Sequence, residues 1–320
     1  MNKLMIVMFL GLSLVFDSVK AQNNLPQVVN NKFKLDGLNR FVGETIPHKI
    51  NVNGRERKFI EYFSGEKDYN KKDLLIVLHG GGRTAENISN QTYFTDIAKS
   101  NDLLVVFPNA IERIWEDGRK GFESTKDIDF INKIADKYKK LGVKKTMVVG
   151  VSSGGILALR MACENVSEIN YFGSIAASLP EGIKCNNNIG NNVIMINGTD
   201  DNFVRWEGGE IQRYNKKTEG RIFSVEESLR LLGLNNKCVL GKVSSLDVNF
   251  SDKSYIEKQQ FKCKTGSLLL FKVEGGGHSI PGGKERATLS NPIGNTNRDI
   301  SAEKEIVEFL KNSIPSKMVK

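Results

Sequence analysis

The sequence predicts an α/β fold, a mostly parallel central sheet with helices on both faces. Three observations carry that expectation. Short runs rich in Val, Ile and Leu recur along the chain, they do not alternate with polar residues, and segments of helical periodicity separate them. Strands that are apolar on both sides are buried on both faces, as in parallel sheets covered by helices. Regular alternation of strand and helix is the pattern of such sheets.

The elements follow in order. His48 to Tyr62 reads as a hairpin turning at Asn53-Gly54, a dipeptide suited to the tightest hairpin turns. Buried strands are expected at Leu74–Leu78, Leu103–Phe107, Thr146–Val149, Tyr171–Ile175, Val193–Ile196 and Leu268–Val273. Ile128, Ile131, Ile134, Ala135, Tyr138 and Leu141 share one face of a helix. Ile156 to Cys163 begins a second helix, apolar on most sides and therefore deeply packed. Ser224 and Glu227 form a capping-box signature ahead of Leu229, Leu231 and Leu232. A last amphipathic helix spans Ser301 to Asn312, with Ile306, Val307, Phe309 and Leu310 inward.

The N-terminus reads as an address. Lys3 is followed by the apolar run Leu4 to Phe16, which as a helix covers roughly 20 Å, short of a bilayer core of roughly 30 Å. Val19 and Ala21 provide small or compact side chains for cleavage before Gln22. Residues 1–21 are therefore expected to be a secretory signal peptide, and residues 22–320 a single domain without linker or repeat. No membrane anchor is expected after cleavage. The four cysteines, Cys163, Cys185, Cys238 and Cys263, all lie in the exported part and imply two disulfides. Pairing of sequence neighbours, Cys163–Cys185 and Cys238–Cys263, closes two short loops without crossing the chain.

Composition excludes several classes. A hydrophobic fraction of 39% with 26% charged residues fits a globular core, not a disordered chain. The net charge of +9 is scattered without a Lys/Arg block, so nucleic acid is not an expected partner. Three histidines and no Cys-x-x-Cys pair leave little material for a metal site. No metal or organic cofactor is expected, and no feature of the sequence sets an oligomeric state.

Gly150-Val151-Ser152-Ser153-Gly154 matches G-x-S-x-G, and it stands between an apolar strand and a helix, as a nucleophile elbow must. The turn is tight enough that the residues two before and two after the serine have to be small. Gly150 and Gly154 meet that demand, which selects Ser152 over Ser153 as the nucleophile. A serine hydroxyl needs a base. His48 sits in the early hairpin and His79 opens a glycine stretch, whereas His278 lies on the loop Gly275-Gly276-Gly277-His278 just after a strand. Ligands of open α/β sheets bind at the carboxyl ends of strands, which makes His278 the expected base. Asp200 or Asp201, directly after another strand, can orient the imidazole. The order Ser, Asp, His is that of α/β-hydrolases. For the oxyanion, the Ser153 amide and that of Gly81 or Gly82, in His79-Gly80-Gly81-Gly82, are the expected donors.

These stretches resemble the secreted esterases grouped as the polyhydroxybutyrate depolymerase and feruloyl esterase family, of α/β-hydrolase fold. The resemblance runs from about Asn53 to Leu310 and includes Leu78 to Gly82, Gly150 to Glu164, Gly198-Thr199-Asp200-Asp201, Gly275 to His278 and Asp299-Ile300-Ser301-Ala302. It implies Asp201 as the acid of the triad, and cysteines at Cys163 and Cys238 agree with the pairing above. It departs at Ile280, where the family often has tryptophan, so a wall of the acyl pocket differs. Trp206 and Trp115 are the aromatic side chains expected to meet a ring. The expected activity is serine ester hydrolysis on plant polysaccharide, with feruloyl or acetyl groups removed. Hydrolysis of short polyhydroxyalkanoate chains is the alternative substrate class, and a catalytically silent carbohydrate-binding protein is the alternative without chemistry.

Overall fold

The computed structural model describes residues 44–63, 68–165, 169, 171–185, 190–212, 218–284 and 293–313. The expected signal peptide, residues 1–21, lies outside them. The first hairpin pairs β1 (Glu44–Val52) with β2 (Arg55–Phe63) in unbroken register from Glu44↔Phe63 to Val52↔Arg55. Asn53 and Gly54 both take positive φ, 50° and 81°, which gives the turn a twist matching that of the strands.

Six strands then run parallel: β3 (Asp73–Leu78), β4 (Leu103–Pro108), β5 (Thr146–Val151), β6 (Tyr171–Ile175), β7 (Asn192–Gly198) and, late in the chain, β12 (Ser267–Glu274). Between β7 and β12 come β8 (Gly209–Gln212), β9 (Thr218–Ile222), β10 (Val239–Leu246) and β11 (Tyr255–Lys262). The large sheet has the order β1-β2-β4-β3-β5-β6-β7-β12-β11-β10, with antiparallel pairs at both edges, and β8-β9 form a separate hairpin.

Alternate strand residues feed two cores. Leu74, Ile76 and Leu78 face one side, with the buried stripes of α3 (Lys126–Lys140), α4 (Ser153–Glu164) and α5 (Val225–Leu234). Leu75 and Val77 face the other, with α1 (Ala85–Gln91), α2 (Phe94–Ala98) and α6 (Ala302–Asn312). Because alternate side chains enter opposite cores, the central strands are apolar along most of their length, which is the pattern read from the sequence. The expected α/β architecture is the one found.

One local expectation changes, and some features are added. Ser224 Oγ accepts from the Glu227 amide at 3.0 Å, but the Glu227 carboxylate turns to Arg230 instead of back to Ser224, so the capping box is half made. The reciprocal box occurs at Thr84 and Asn87, ahead of α1. Strands β10 and β11 and the hairpin β8-β9 add to what the apolar runs indicated. Both expected disulfides are present, Cys163–Cys185 and Cys238–Cys263.

Candidate active site

Ser152 occupies the junction of β5 and α4 with φ 54° and ψ −124°. Such a conformation costs a non-glycine residue about 1–3 kcal/mol. The turn is held on both sides: the Ser152 amide donates to Ile175 O at 2.9 Å, and its carbonyl accepts from the Ile156 amide at 2.9 Å. Close packing explains the two flanking glycines. A Cβ on Gly150 would stand 2.1 Å from the Gly154 carbonyl carbon, and one on Gly154 would stand 2.6 Å from His79 O.

Parallel register brings the other segments to the same edge. Val151 pairs with Ile175, Ile175 with Ile196, and Gly198 with Val273, so the chain leaves β5, β7 and β12 at one end of neighbouring strands. Two loops emerging there are laced together. Thr199 N–H donates to Val273 O at 3.0 Å, Asp200 N–H to Gly276 O at 2.9 Å, and Gly275 N–H to Thr199 Oγ1 at 2.9 Å.

The lacing sets Asp201 against His278. Asp201 Oδ2 accepts from His278 Nδ1 at 2.7 Å, while Oδ1 accepts from the amides of Phe203 and Val204, each at 2.8 Å. The carboxylate is 1% exposed and the imidazole 17%. With the Asp201 carboxylate as acceptor, the Nδ1 contact places a ring proton on Nδ1 and turns Nε2 away from Asp201. Asp200 is exposed and makes no bond to the ring. Asp201→Asn is therefore expected to lower kcat on any ester the protein turns over by about 10⁴-fold through the wrong tautomer, with Asp200→Asn within threefold of wild type. Steady-state kinetics of the two variants check this, and the opposite ranking moves the acid by one residue. Ser152 and His278 follow strands of the same sheet edge, and no hydrogen bond joins their side chains.

The glycine loop crosses directly above the elbow. Positions for a Cβ on Gly80 lie 3.6 Å from Ser152 Cβ, and on Gly81 lie 3.7 Å from Ser153 Oγ. His79 is fully buried, with both ring nitrogens used. Nε2 accepts from the Ala110 amide at 3.1 Å and Nδ1 donates to Gly80 O at 2.8 Å. Burial pushes this imidazole below its ordinary value, so it is neutral at neutral pH. Gly80 O also accepts from Arg83 N–H at 3.1 Å. Because the peptide is trans and planar, pinning that carbonyl turns the Gly81 N–H the opposite way, and it joins none of the loop's hydrogen bonds.

Several expected contacts are placed differently. The Gly82 amide, expected alongside Gly81 as a candidate donor, is taken by Arg113 O at 2.8 Å, whereas the Gly81 amide is uncommitted. Trp115 is fully buried and donates from Nε1 to His79 O at 2.7 Å, so it braces the loop from behind and meets no solvent. Trp206 is 7% exposed, with its Nε1 on the Glu226 carboxylate and the Lys272 ammonium 5.3 Å from its ring, and so ties the acid loop to α5. Ile280 is 4% exposed and belongs to the core beneath α6, not to a pocket wall. The aromatic side chain that does stand at the site is Phe203, half-buried, its ring centroid 5.2 Å from that of His278. Its position two residues after the acid was the available signal.

His79→Ala is expected to release Gly80 O and let the Gly81 amide wander. A fall in kcat of about 100-fold with KM within a few-fold is the expected outcome in steady-state assays. Unchanged kcat would show that the loop holds its shape without the imidazole.

No family model matches the sequence, and no curated protein matches it. Among solved structures, the acetyl xylan esterase from Aspergillus awamori is similar with a TM-score of 0.50 and 11% identity, over 74% of this chain and 95% of that one. A fluorophosphonate-binding serine hydrolase of Staphylococcus aureus, solved with substrate bound, has a TM-score of 0.41 and 12% identity, over 50% of this chain and 81% of that one. A ferulic acid esterase has a TM-score of 0.37 and 17% identity over the same shares. The chain thus has the mixed fold of the α/β-hydrolase type. At these identities the likeness is one of fold.

Proposed function

We propose that the protein is a serine carboxylic ester hydrolase. The observation that carries the reading is the 2.7 Å pair of His278 and the buried Asp201 on the strand edge that also presents Ser152 at positive φ. In this reading His278 Nε2 takes the Ser152 proton as Oγ attacks the ester carbonyl, and the Asp201 carboxylate stabilises the imidazolium that forms. The Ser153 and Gly81 amides receive the developing oxyanion. His278 then protonates the departing alcohol, and water releases the acid by the reverse steps.

Feruloyl or acetyl groups on plant polysaccharide are the substrate class. The motifs of the sequence and the fold shared with an acetyl xylan esterase support it. Export fits the same reading, since both disulfides need an oxidising compartment. Asn197, one of five N-x-S/T positions, is 2% exposed with Nδ2 donating to Ala177 O, which excludes sugar there in the folded protein.

The test is a panel of methyl ferulate, acetylated xylan and 3-hydroxybutyrate trimers, with Ser152→Ala as control. Turnover of the first or second ahead of the trimers is expected. Faster trimer hydrolysis assigns a polyester substrate, and rates no higher than those of Ser152→Ala on all three contradict the esterase reading.

A further inference from the structure

A buried hydroxyl without a partner stands at the start of α4. Ser153 is 6% exposed, and its Oγ makes no hydrogen bond. Folding has withdrawn this hydroxyl from water without replacing the bonds it lost. Native proteins seldom leave such a group orphaned, and a partner that arrives only during function accounts for one.

The surroundings say what kind of partner it is. Oγ lies beneath the glycine loop, 3.7 Å from the place of a Cβ on Gly81, whose amide is also uncommitted. The Ser153 amide belongs to the first turn of a twelve-residue helix, and that turn holds no acidic residue. Amides of a first turn have no intrahelical acceptor, and the helix dipole adds to their attraction for negative charge. Three donors therefore converge beside Ser152, and an anionic oxygen is the chemistry that satisfies them together.

We propose that the Ser153 hydroxyl is a third donor to the oxyanion, alongside the amides of Ser153 and Gly81; the inference rests on the esterase reading above. An ester carbonyl is a weak acceptor, and its oxygen becomes a strong one as it gains charge. A hydroxyl with no competing partner turns toward that oxygen at no cost in broken bonds. Its contribution is realised as charge develops, so it falls on kcat and not on KM.

The experiment compares wild type, Ser153→Ala, Ser153→Thr and Ser152→Ala on p-nitrophenyl acetate, with thermal unfolding and inhibition by an alkyl boronic acid measured alongside. For Ser153→Ala the expectation is a kcat about 100-fold lower, KM within twofold, and boronate affinity weakened in parallel. Its melting temperature should equal or exceed that of wild type, because an unpaired buried hydroxyl has been removed. Ser153→Thr, which keeps the hydroxyl, should recover part of the rate. Wild-type kcat in Ser153→Ala, or a rate loss accompanied by a lower melting temperature, overturns the third donor while leaving the esterase reading intact. A wild-type rate no higher than that of Ser152→Ala removes both.

Discussion

Ser152→Ala is expected to reduce ester hydrolysis by about 10⁴- to 10⁶-fold while leaving the fold unchanged. The size of the effect follows from the division of labour at the site. In the proposed mechanism only the hydroxyl can form the covalent bond, so without it the His278–Asp201 pair has no nucleophile to activate and only the residual help of the oxyanion donors remains. The backbone adds a second expectation. Ser152 holds φ 54°, a conformation that glycine adopts without strain and alanine does not. Ser152→Gly should therefore be as inactive as Ser152→Ala yet more stable than it by about 1 kcal/mol. Chemical denaturation of the two variants checks this order. Equal stability would mean that the turn is not strained at this residue.

Gly150→Ala should be the most damaging conservative substitution near the site. Its new methyl would stand 2.1 Å from Gly154 C and 2.2 Å from Gly154 O, backbone atoms that no side-chain rotation can move aside. Relief requires α4 to lift from β5. The helix is buried along its length, with Ile156, Leu157, Ala158 and Leu159 all in contact with the core, so lifting it costs several kcal/mol, about 4 or more. Gly81→Ala serves as the contrast, since a Cβ there meets Ser153 Oγ at 3.7 Å, an ordinary contact. A denaturation midpoint lowered in Gly150→Ala and preserved in Gly81→Ala is the expected result. Equal midpoints would mean that the elbow is looser than its geometry.

The features legible in the sequence were those with a local cause. Asn53-Gly54 announces its turn because few other pairs tolerate positive φ twice in succession, and the turn fixes the register of the hairpin. Double-sided burial writes itself into the central strands as unbroken apolar runs. The elbow shows because tight backbone contact admits only glycine at Gly150 and Gly154.

What escaped had causes distant in sequence. Helix α1 has only Ala85 and Ile88 buried, too few for a period to register. Strand β10 is exposed along its whole length, so no burial pattern marks it. The choice between Gly81 and Gly82 depends on Arg113, whose carbonyl takes the Gly82 amide from more than thirty residues away. Trp115 and Trp206 looked like ring contacts because their type suits sugars and aromatic acids. Their indole N–H groups instead found acceptors within the protein, the buried His79 O and the Glu226 carboxylate, as buried tryptophans do.

Covalent labelling with an alkyl fluorophosphonate, read by intact mass and peptide mapping, tests the central claim most directly. The reagent marks only a serine activated by a neighbouring base and an oxyanion site. One phosphonyl group per chain on Ser152 is expected, with none on Ser152→Ala and strongly slowed labelling of His278→Ala. Labelling of another residue, or hydrolytic activity in a protein whose Ser152 stays unmodified, would contradict the convergence of Ser152, His278 and Asp201 on one reacting carbonyl.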